Sequence, residues 1–179
     1  MKSRSECLRE YGSDYFVRQK VNAGELFRVD KGIYSETESV PELALVCYKY
    51  PKAIVTLNTA FYLYGLTDEI PDEYYLATKR EATPVSDERV KQVFMPKELL
   101  EIGKTTVEHK GCLIPVFDKE RMLVELIRYK SKLPYNYYKE ILGNYRRILP
   151  KLDSEKIRDY AETMPKSDMI IRRLRTEVF

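Results

Sequence analysis

Closely spaced turn and capping residues divide the first 34 residues of this chain into short elements. Gly12 ends the segment ECLREY, Ser13 follows at once, and Gly24 ends the segment that begins there. Serine caps helix N-termini, and glycine tolerates the positive φ at which helices often end. Asp-Lys-Gly at residues 30–32 then joins two short β-prone runs, and a glycine there suits a tight hairpin turn. The sequence therefore predicts helix, turn, helix and β-hairpin, in that order.

The second predicted helix has an apolar face and a polar face. Val17 and Val21 lie four residues apart on the apolar face. The polar face carries, at helical spacing, Tyr15, Arg18, Gln19 and Asn22. Arginine favours guanine edges in the major groove, and asparagine or glutamine favours adenine edges. This order of elements is that of the latter part of a winged helix-turn-helix, although an ordinary amphipathic helix packed beside a hairpin has the same pattern.

Two basic residues of the predicted hairpin complete this hypothesis. Arg28 lies in the first strand of the hairpin and Lys31 at its tip. Both side chains would contact DNA phosphates. The predicted DNA-binding residues are Tyr15, Arg18, Gln19, Asn22, Arg28 and Lys31. Only two helices cover the hairpin, so the module is short. We expect an apolar patch near Phe16 and Val17, covered by the rest of the chain or by a second copy in a homodimer.

The sequence changes character after the polar segment SETESVP. Short strand-like runs such as EYYLATK and VKQVFM alternate with helical segments, and Lys110-Gly111 predicts a second hairpin. The last three predicted helices span residues 135–148, 154–163 and 167–178. The predicted fold class is α+β: a short, truncated winged helix-turn-helix module at residues 1–35, followed by an α/β domain with a C-terminal helical bundle at residues 36–179.

Charge is distributed unevenly along the chain. The net charge is +2 over residues 1–34, −5 over residues 35–118 and +6 over residues 119–179. Basic ends indicate an anionic partner such as nucleic acid or an acidic protein surface, although solvated helix faces have a similar composition. Apolar runs are far shorter than the ~20 residues of a membrane span, and the N-terminus has no apolar signal-peptide centre. We expect a cytoplasmic protein that does not enter a membrane.

Residue patterns typical of catalysis, metal binding and cofactor binding are absent. The single histidine, His109, has no serine or cysteine nucleophile close to it in sequence, and the three cysteines are widely spaced without CxxC pairs. No glycine-rich phosphate-binding motif occurs. The acidic cluster around Pro71 lies in a predicted loop, where a solvated turn explains it better than a magnesium site does. We expect no enzymatic activity, no cofactor and no metal.

Three segments of the chain occur in the order and spacing of a known family. They are AGELFRVDKGIYS, YPKAIVTLNTAFYLYGLTDEIPDEYYLAT and PKELLEIGKTTVEHKGCLIPVFDKERMLVELIRYKSKL. The last contains Asp118, Glu120 and Arg121. Together they resemble the AbiEi-type antitoxins of bacterial type IV toxin–antitoxin and abortive-infection systems, also described as transcriptional regulators of viral defence. The chain departs from the family pattern at Asn58 and Tyr64, where members often carry glutamate and histidine.

The resemblance implies a winged helix-turn-helix that represses its own operon and a C-terminal domain that antagonises a nucleotidyltransferase-like toxin. It places the recognition helix at residues 14–23 and the wing at residues 26–35. The implied partners are promoter DNA of the chain's own operon and the toxin, typically without a stable toxin–antitoxin complex. The alternative is an interaction module that has lost DNA binding and acts through protein contacts alone.

Overall fold

The computed structural model describes residues 1 to 179 and has an α+β fold with 49% helix and 20% strand. The predicted α+β class is confirmed. The chain forms two compact units, Met1–Pro51 (unit 1) and Lys52–Phe179 (unit 2). This division follows the third helix, whereas the sequence-based boundary after residue 35 marks the end of the first hairpin. None of the helices combines the length and apolar character that crossing a bilayer requires.

Unit 1 contains the first three helices and the first three strands, and unit 2 contains the others. The helices are α1 (Arg4–Tyr11), α2 (Asp14–Asn22), α3 (Glu42–Lys49), α4 (Leu57–Leu63), α5 (Lys97–Leu100), α6 (Lys119–Tyr129), α7 (Tyr135–Ile148), α8 (Ser154–Thr163) and α9 (Ser167–Glu177). The strands are β1 (Lys2–Ser3), β2 (Phe27–Asp30), β3 (Ile33–Ser35), β4 (Ile54–Val55), β5 (Tyr74–Lys79), β6 (Val90–Met95), β7 (Lys104–His109) and β8 (Cys112–Phe117). Two short 3-10 helices span Lys130–Lys132 and Leu149–Lys151.

Local capping residues set the limits of α1 and α2. The Ser3 hydroxyl accepts a hydrogen bond from the backbone N–H of Glu6 at 3.3 Å, and the Glu6 carboxylate accepts one from the backbone N–H of Ser3 at 2.6 Å. This reciprocal pair is a capping box. Gly12 ends α1 with a φ of 87°, and Ser13 caps α2 by accepting from the backbone N–H of Phe16. The predicted sequence of helix, turn and helix is confirmed.

The sheet of unit 1 has the order β1-β3-β2, with both neighbouring pairs antiparallel. β2 and β3 form the predicted hairpin, and Gly32 in its turn has a φ of 73°, which a side chain would strain. Nothing in the sequence predicts β1, since a strand of two residues has no detectable periodicity. It forms because Lys2 pairs with Tyr34 in the central strand.

The core of unit 1 is small and draws on both helices and the hairpin. Its buried side chains are Cys7, Val17 and Leu26. Those packed against them and partly buried are Leu8, Tyr11, Val21 and Tyr34. Val17 is only 3% exposed because it lies on the face of α2 that forms this core, so the apolar surface expected near Phe16 and Val17 does not include Val17 itself. Phe16, on the neighbouring face, is 52% exposed.

Unit 2 is built on a mixed five-stranded sheet of order β6-β5-β4-β8-β7. β5 is antiparallel to β4 and parallel to β6, while β8 is parallel to β4 and antiparallel to β7. The predicted β7–β8 hairpin is confirmed, and both residues of its turn, Lys110 and Gly111, have positive φ as a primed turn requires.

α6 is the most buried helix of unit 2, with every side chain from residue 121 to residue 127 buried. It packs against α4, α8 and α9, and α8 also packs against α9. The predicted helices at residues 135–148 and 154–163 are confirmed as α7 and α8, and α9 ends one residue before its predicted end.

α6 carries a buried ionic network. Arg121 and Glu125 are 0% and 1% exposed. Arg121 donates through Nε and Nη2 to Oε1 of Glu125 at 3.1 and 2.7 Å, and Arg128 donates through Nε to Oε2 at 2.7 Å. Burial lowers the pKa of Arg121, and Glu125 opposes that change. A Cβ at Gly103 would lie 2.7 Å from the Cβ of Arg121, so glycine is required where this loop crosses the arginine.

Breaking this network on one side should destabilise the protein strongly. Arg121→Ala should lower the free energy of unfolding by about 3–5 kcal/mol, because it leaves the Glu125 carboxylate buried with half of its partners. The double variant Arg121→Met/Glu125→Leu should be far less destabilised, since it removes both buried charges at similar volume. Urea denaturation followed by circular dichroism measures both. A double variant as unstable as Arg121→Ala would contradict this account.

Candidate nucleic-acid interface

Unit 1 has a concave cleft of about 310 Å³ formed by α1, α2 and the hairpin. Its lining residues are Arg4, Asp14, Val17, Arg18, Val21, Asn22, Arg28 and Tyr34. Three of the predicted DNA-binding residues are among them: Arg18 and Asn22 from α2, and Arg28 from β2. The charged side chains of the lining are three arginines and one aspartate, so the cleft is suited to an anionic or hydrogen-bonding ligand.

The polar residues of α2 divide into two neighbouring pairs. All four are exposed, as their spacing predicts. Arg18 and Asn22 line the cleft, whereas Tyr15 and Gln19 do not. Nε2 of Gln19 donates a hydrogen bond to the Tyr15 hydroxyl at 3.0 Å. The Tyr15 ring also meets the Phe16 ring edge-on, with centroids 5.5 Å apart.

The two predicted hairpin residues lie at different places. Arg28 is opposite Tyr34 in the β2–β3 pairing and lines the cleft. Lys31 is exposed at the turn, where its backbone N–H donates to Oδ1 of Asp30 at 2.6 Å. The fold therefore brings Arg28, but not Lys31, into the cleft with α2.

Arg4 is a cleft residue that sequence reasoning missed. Its Nε and Nη2 donate to Oδ1 and Oδ2 of Asp14 at 3.1 and 2.5 Å, which joins the first turn of α1 to the first turn of α2. The hydrogen bonds to Asp14 raise the pKa of Arg4. The sequence indicates this ion pair only through a basic residue at the start of one helix and an acidic residue at the start of the next. No local spacing rule pairs residues so far apart.

Glu6 links α1 to α3 within unit 1. Besides the capping contact with Ser3, its carboxylate accepts a hydrogen bond from the Tyr48 hydroxyl at 2.8 Å. The hydrogen bonds from Ser3, followed by that from Tyr48, lower the pKa of Glu6 to about 2. Lys49 forms an ion pair with Asp30 at 3.1 Å, so α3 is also tied to the hairpin.

In unit 2, the residues noted for their family resemblance make structural contacts. Asp118 caps α6 by accepting from the backbone N–H of Arg121 at 2.8 Å, and it accepts from the Tyr160 hydroxyl at 2.9 Å. Burial raises the pKa of Asp118. Tyr64, at one of the two positions that depart from the family pattern, donates its hydroxyl to the backbone oxygen of Phe117 at 2.7 Å. These contacts hold the start of α6 in place.

The other residues of unit 2 noted in the sequence are Glu120, Asn58 and His109. Oε1 of Glu120 accepts from the backbone N–H of Asp153 at 3.1 Å. Oδ1 of Asn58 is buried without a hydrogen-bond partner. His109 is the last residue of β7, and no group of three or more His, Cys, Asp or Glu side chains in the structure is arranged to hold a metal ion.

The chain shares its fold with a protein of known structure. No protein-family model and no curated protein matches the chain. The crystal structure of the RV2827C protein from Mycobacterium tuberculosis is similar, with a TM-score of 0.62 and 13% sequence identity. The match covers 98% of this chain and 71% of that chain. At this identity the likeness establishes a shared fold, which extends over both units.

The lowered pKa of Glu6 predicts acid sensitivity. Its contribution to stability is present above the unfolded-state pKa near 4.5 and is lost as the pH falls through about 2. Glu6→Gln keeps a hydrogen-bond acceptor but does not titrate, so its unfolding free energy should change less across this range than that of the wild type. Urea denaturation at a series of pH values tests this. The exposed Glu38→Gln should behave as the wild type, and equal slopes for all three proteins would contradict the prediction.

Proposed function

We propose that this chain is a sequence-specific DNA-binding regulator in which unit 1 acts as a winged helix-turn-helix module. The order of elements supports this. α1 and α2 are joined by Gly12 and Ser13, and the hairpin that follows has an inner strand that also pairs with β1. In this assignment α2 enters the major groove and the β2–β3 hairpin is the wing.

The observation that carries the proposal is the cleft that joins Arg18 and Asn22 of α2 with Arg28 of β2. Residues four apart on a helix lie on the same face, so Arg18 and Asn22 reach the same groove. Arginine donates two hydrogen bonds to guanine, and asparagine pairs with adenine in the same bidentate way. Arg28 and Lys31, which lie outside the helix, contact phosphates and thereby orient it.

The remaining polar residues support these contacts. Gln19 has one N–H and its amide oxygen available for a third base contact, because Tyr15 accepts only one of its hydrogen bonds. Arg4 has two of its N–H groups engaged by Asp14. Its role is to hold α1 against α2 rather than to contact DNA.

The regulated operon in this proposal encodes a toxin–antitoxin pair. The three segments that resemble AbiEi-type antitoxins support an autorepressor that binds promoter DNA of its own operon and counters a nucleotidyltransferase-like toxin. Two of these segments lie largely in unit 2, so toxin antagonism is assigned there. The antagonism is functional and requires no stable toxin–antitoxin complex.

An interaction module without DNA binding is the second candidate, and one observation favours it. Tyr15 and Phe16 are 64% and 52% exposed and contact each other at the start of α2. Exposed aromatic residues of this kind are typical of protein interfaces.

Single substitutions separate base contacts from phosphate contacts. Arg18→Ala should cost about 1–3 kcal/mol of binding free energy and relax the preference at one base pair, whereas Lys31→Ala should weaken binding to all sequences similarly. Arg9→Ala removes an exposed charge of α1 outside the cleft and serves as the matched control. Fluorescence anisotropy titrations of the promoter fragment and its single-base variants measure all three.

The same titrations, repeated across salt concentrations, distinguish the two candidates. DNA binding predicts an affinity that falls as salt rises, in proportion to the number of phosphates contacted. Equal operator affinity for the wild type and Arg18→Ala would remove Arg18 from the interface. No complex with promoter DNA at any salt concentration would favour the interaction module.

Repression and toxin antagonism should be separable in the full chain. The double variant Arg18→Ala/Asn22→Ala should lose repression of a promoter–reporter fusion but still rescue cells that express the partner toxin, because both residues lie in unit 1. Protein levels measured by immunoblot control for expression. A variant that is present at wild-type level and loses both activities would assign the antagonism to unit 1.

A further inference from the structure

Unit 2 contains a second cationic cleft, far along the chain from the cleft of unit 1. Its volume is about 310 Å³. It lies where the end of α6 and the following 3-10 helix meet the start of α9, and it is lined by Arg128, Tyr129, Ser131, Lys132, Pro165, Lys166, Met169 and Arg173. Four of these side chains are cationic, and none is acidic.

The positive charge of this cleft is largely uncompensated. Lys132, Lys166 and Arg173 have no carboxylate within ion-pair distance. Arg128 is paired with Glu125, but that carboxylate is shared with the buried Arg121. Arg121, Glu125 and Arg128 together therefore have a net charge of +1. By contrast, the adjacent Lys130 is neutralised by Glu177 at 2.7 Å, and it does not line the cleft.

Local contacts position three of these cations, Arg128, Lys132 and Arg173. The Tyr129 ring has the guanidinium carbon of Arg128 4.7 Å from its centroid and Nζ of Lys132 5.0 Å from it. Nη1 of Arg173 donates to the backbone oxygen of Ile127 at 3.3 Å. Lys166 has a left-handed backbone conformation at the N-cap of α9 and provides no side-chain cap. Like charges held close together at a surface create a field that an anion stabilises.

We propose that this cleft binds the diphosphate group of a small molecule. Guanidinium and ammonium groups are the side chains that recognise phosphate, and Ser131 adds a hydroxyl donor. Four cations converging on one compact cleft match two adjacent phosphates, which carry several negative charges within a few ångströms. A duplex, in contrast, presents its phosphates singly along an extended backbone.

Isothermal titration calorimetry of the full chain with inorganic pyrophosphate tests the proposal. Saturable binding is expected, with sulfate binding much more weakly because it offers a single tetrahedral anion. Lys132→Ala and Lys166→Ala should each weaken pyrophosphate binding about tenfold. Both lysines are exposed, and thermal melts verify that the variants remain folded. Lys139→Ala is the matched control, because Lys139 is an exposed lysine of α7 that contacts the Tyr135 ring outside the cleft.

Three results would overturn the proposal. The first is an absence of pyrophosphate binding by the wild type, which can be interpreted without any variant. The second is a loss of affinity in Lys139→Ala equal to that in Lys166→Ala, which would indicate a general charge effect. The third is a loss of duplex DNA affinity in Lys132→Ala and Lys166→Ala without any pyrophosphate binding, which would assign the cleft to a nucleic-acid backbone. Arg18→Ala should leave pyrophosphate affinity unchanged, so this test is independent of the proposed function of unit 1.

Discussion

One buried carboxylate, that of Glu125, organises the charged groups of unit 2. It accepts hydrogen bonds from Arg121, which is fully buried, and from Arg128, which is partly exposed. Two guanidiniums around one carboxylate carry a surplus positive charge, and an unpaired ion is very costly in an apolar interior. The surplus is tolerated because Arg128 extends to the surface, where it lines the cleft that also contains Lys132. Arg128 therefore links the cationic cleft of unit 2 to the buried ion pair of Arg121 and Glu125.

Elements bounded by strong local signals could be predicted from the sequence. The end of α1 at Gly12, the cap of α2 by Ser13 and the turn at Gly32 depend on neighbouring residues, and the structure contains all three. β1 could not be predicted, because a two-residue strand exists only through its partner β3. The order of the five-stranded sheet could not be predicted either, because its central pairing joins β4 to β8, which is distant along the chain, although the other pairings join consecutive strands. Helical spacing places Val17 and Val21 on the apolar face of α2, but it does not show which side chains cover that face.

The candidate sites show the same limit. Helical periodicity predicts the exposure of Arg18 and Asn22, and their common face follows from their spacing. That Arg28 joins them depends on how the hairpin folds back onto α2, which no local pattern encodes. The cleft of unit 2 was missed because Lys132 and Lys166 are separated by two helices along the chain and are neighbours only through the packing of α9 near the end of α6. The sequence shows the excess of positive charge after residue 119 but not where it concentrates.

The two clefts differ in the positive charge they can offer a ligand. In unit 1, Asp14 engages Arg4, so Arg18 and Arg28 are the unpaired cations of the lining. The logarithm of DNA affinity depends on salt with a slope of about −0.9 per neutralised phosphate, so a protein that makes few phosphate contacts gains little from counterion release. On the proposed function, one copy of unit 1 therefore gains little electrostatic affinity for duplex DNA. Two copies on adjacent half-sites gain effective concentration, so on the proposed function a second copy of this chain is the partner that repression requires.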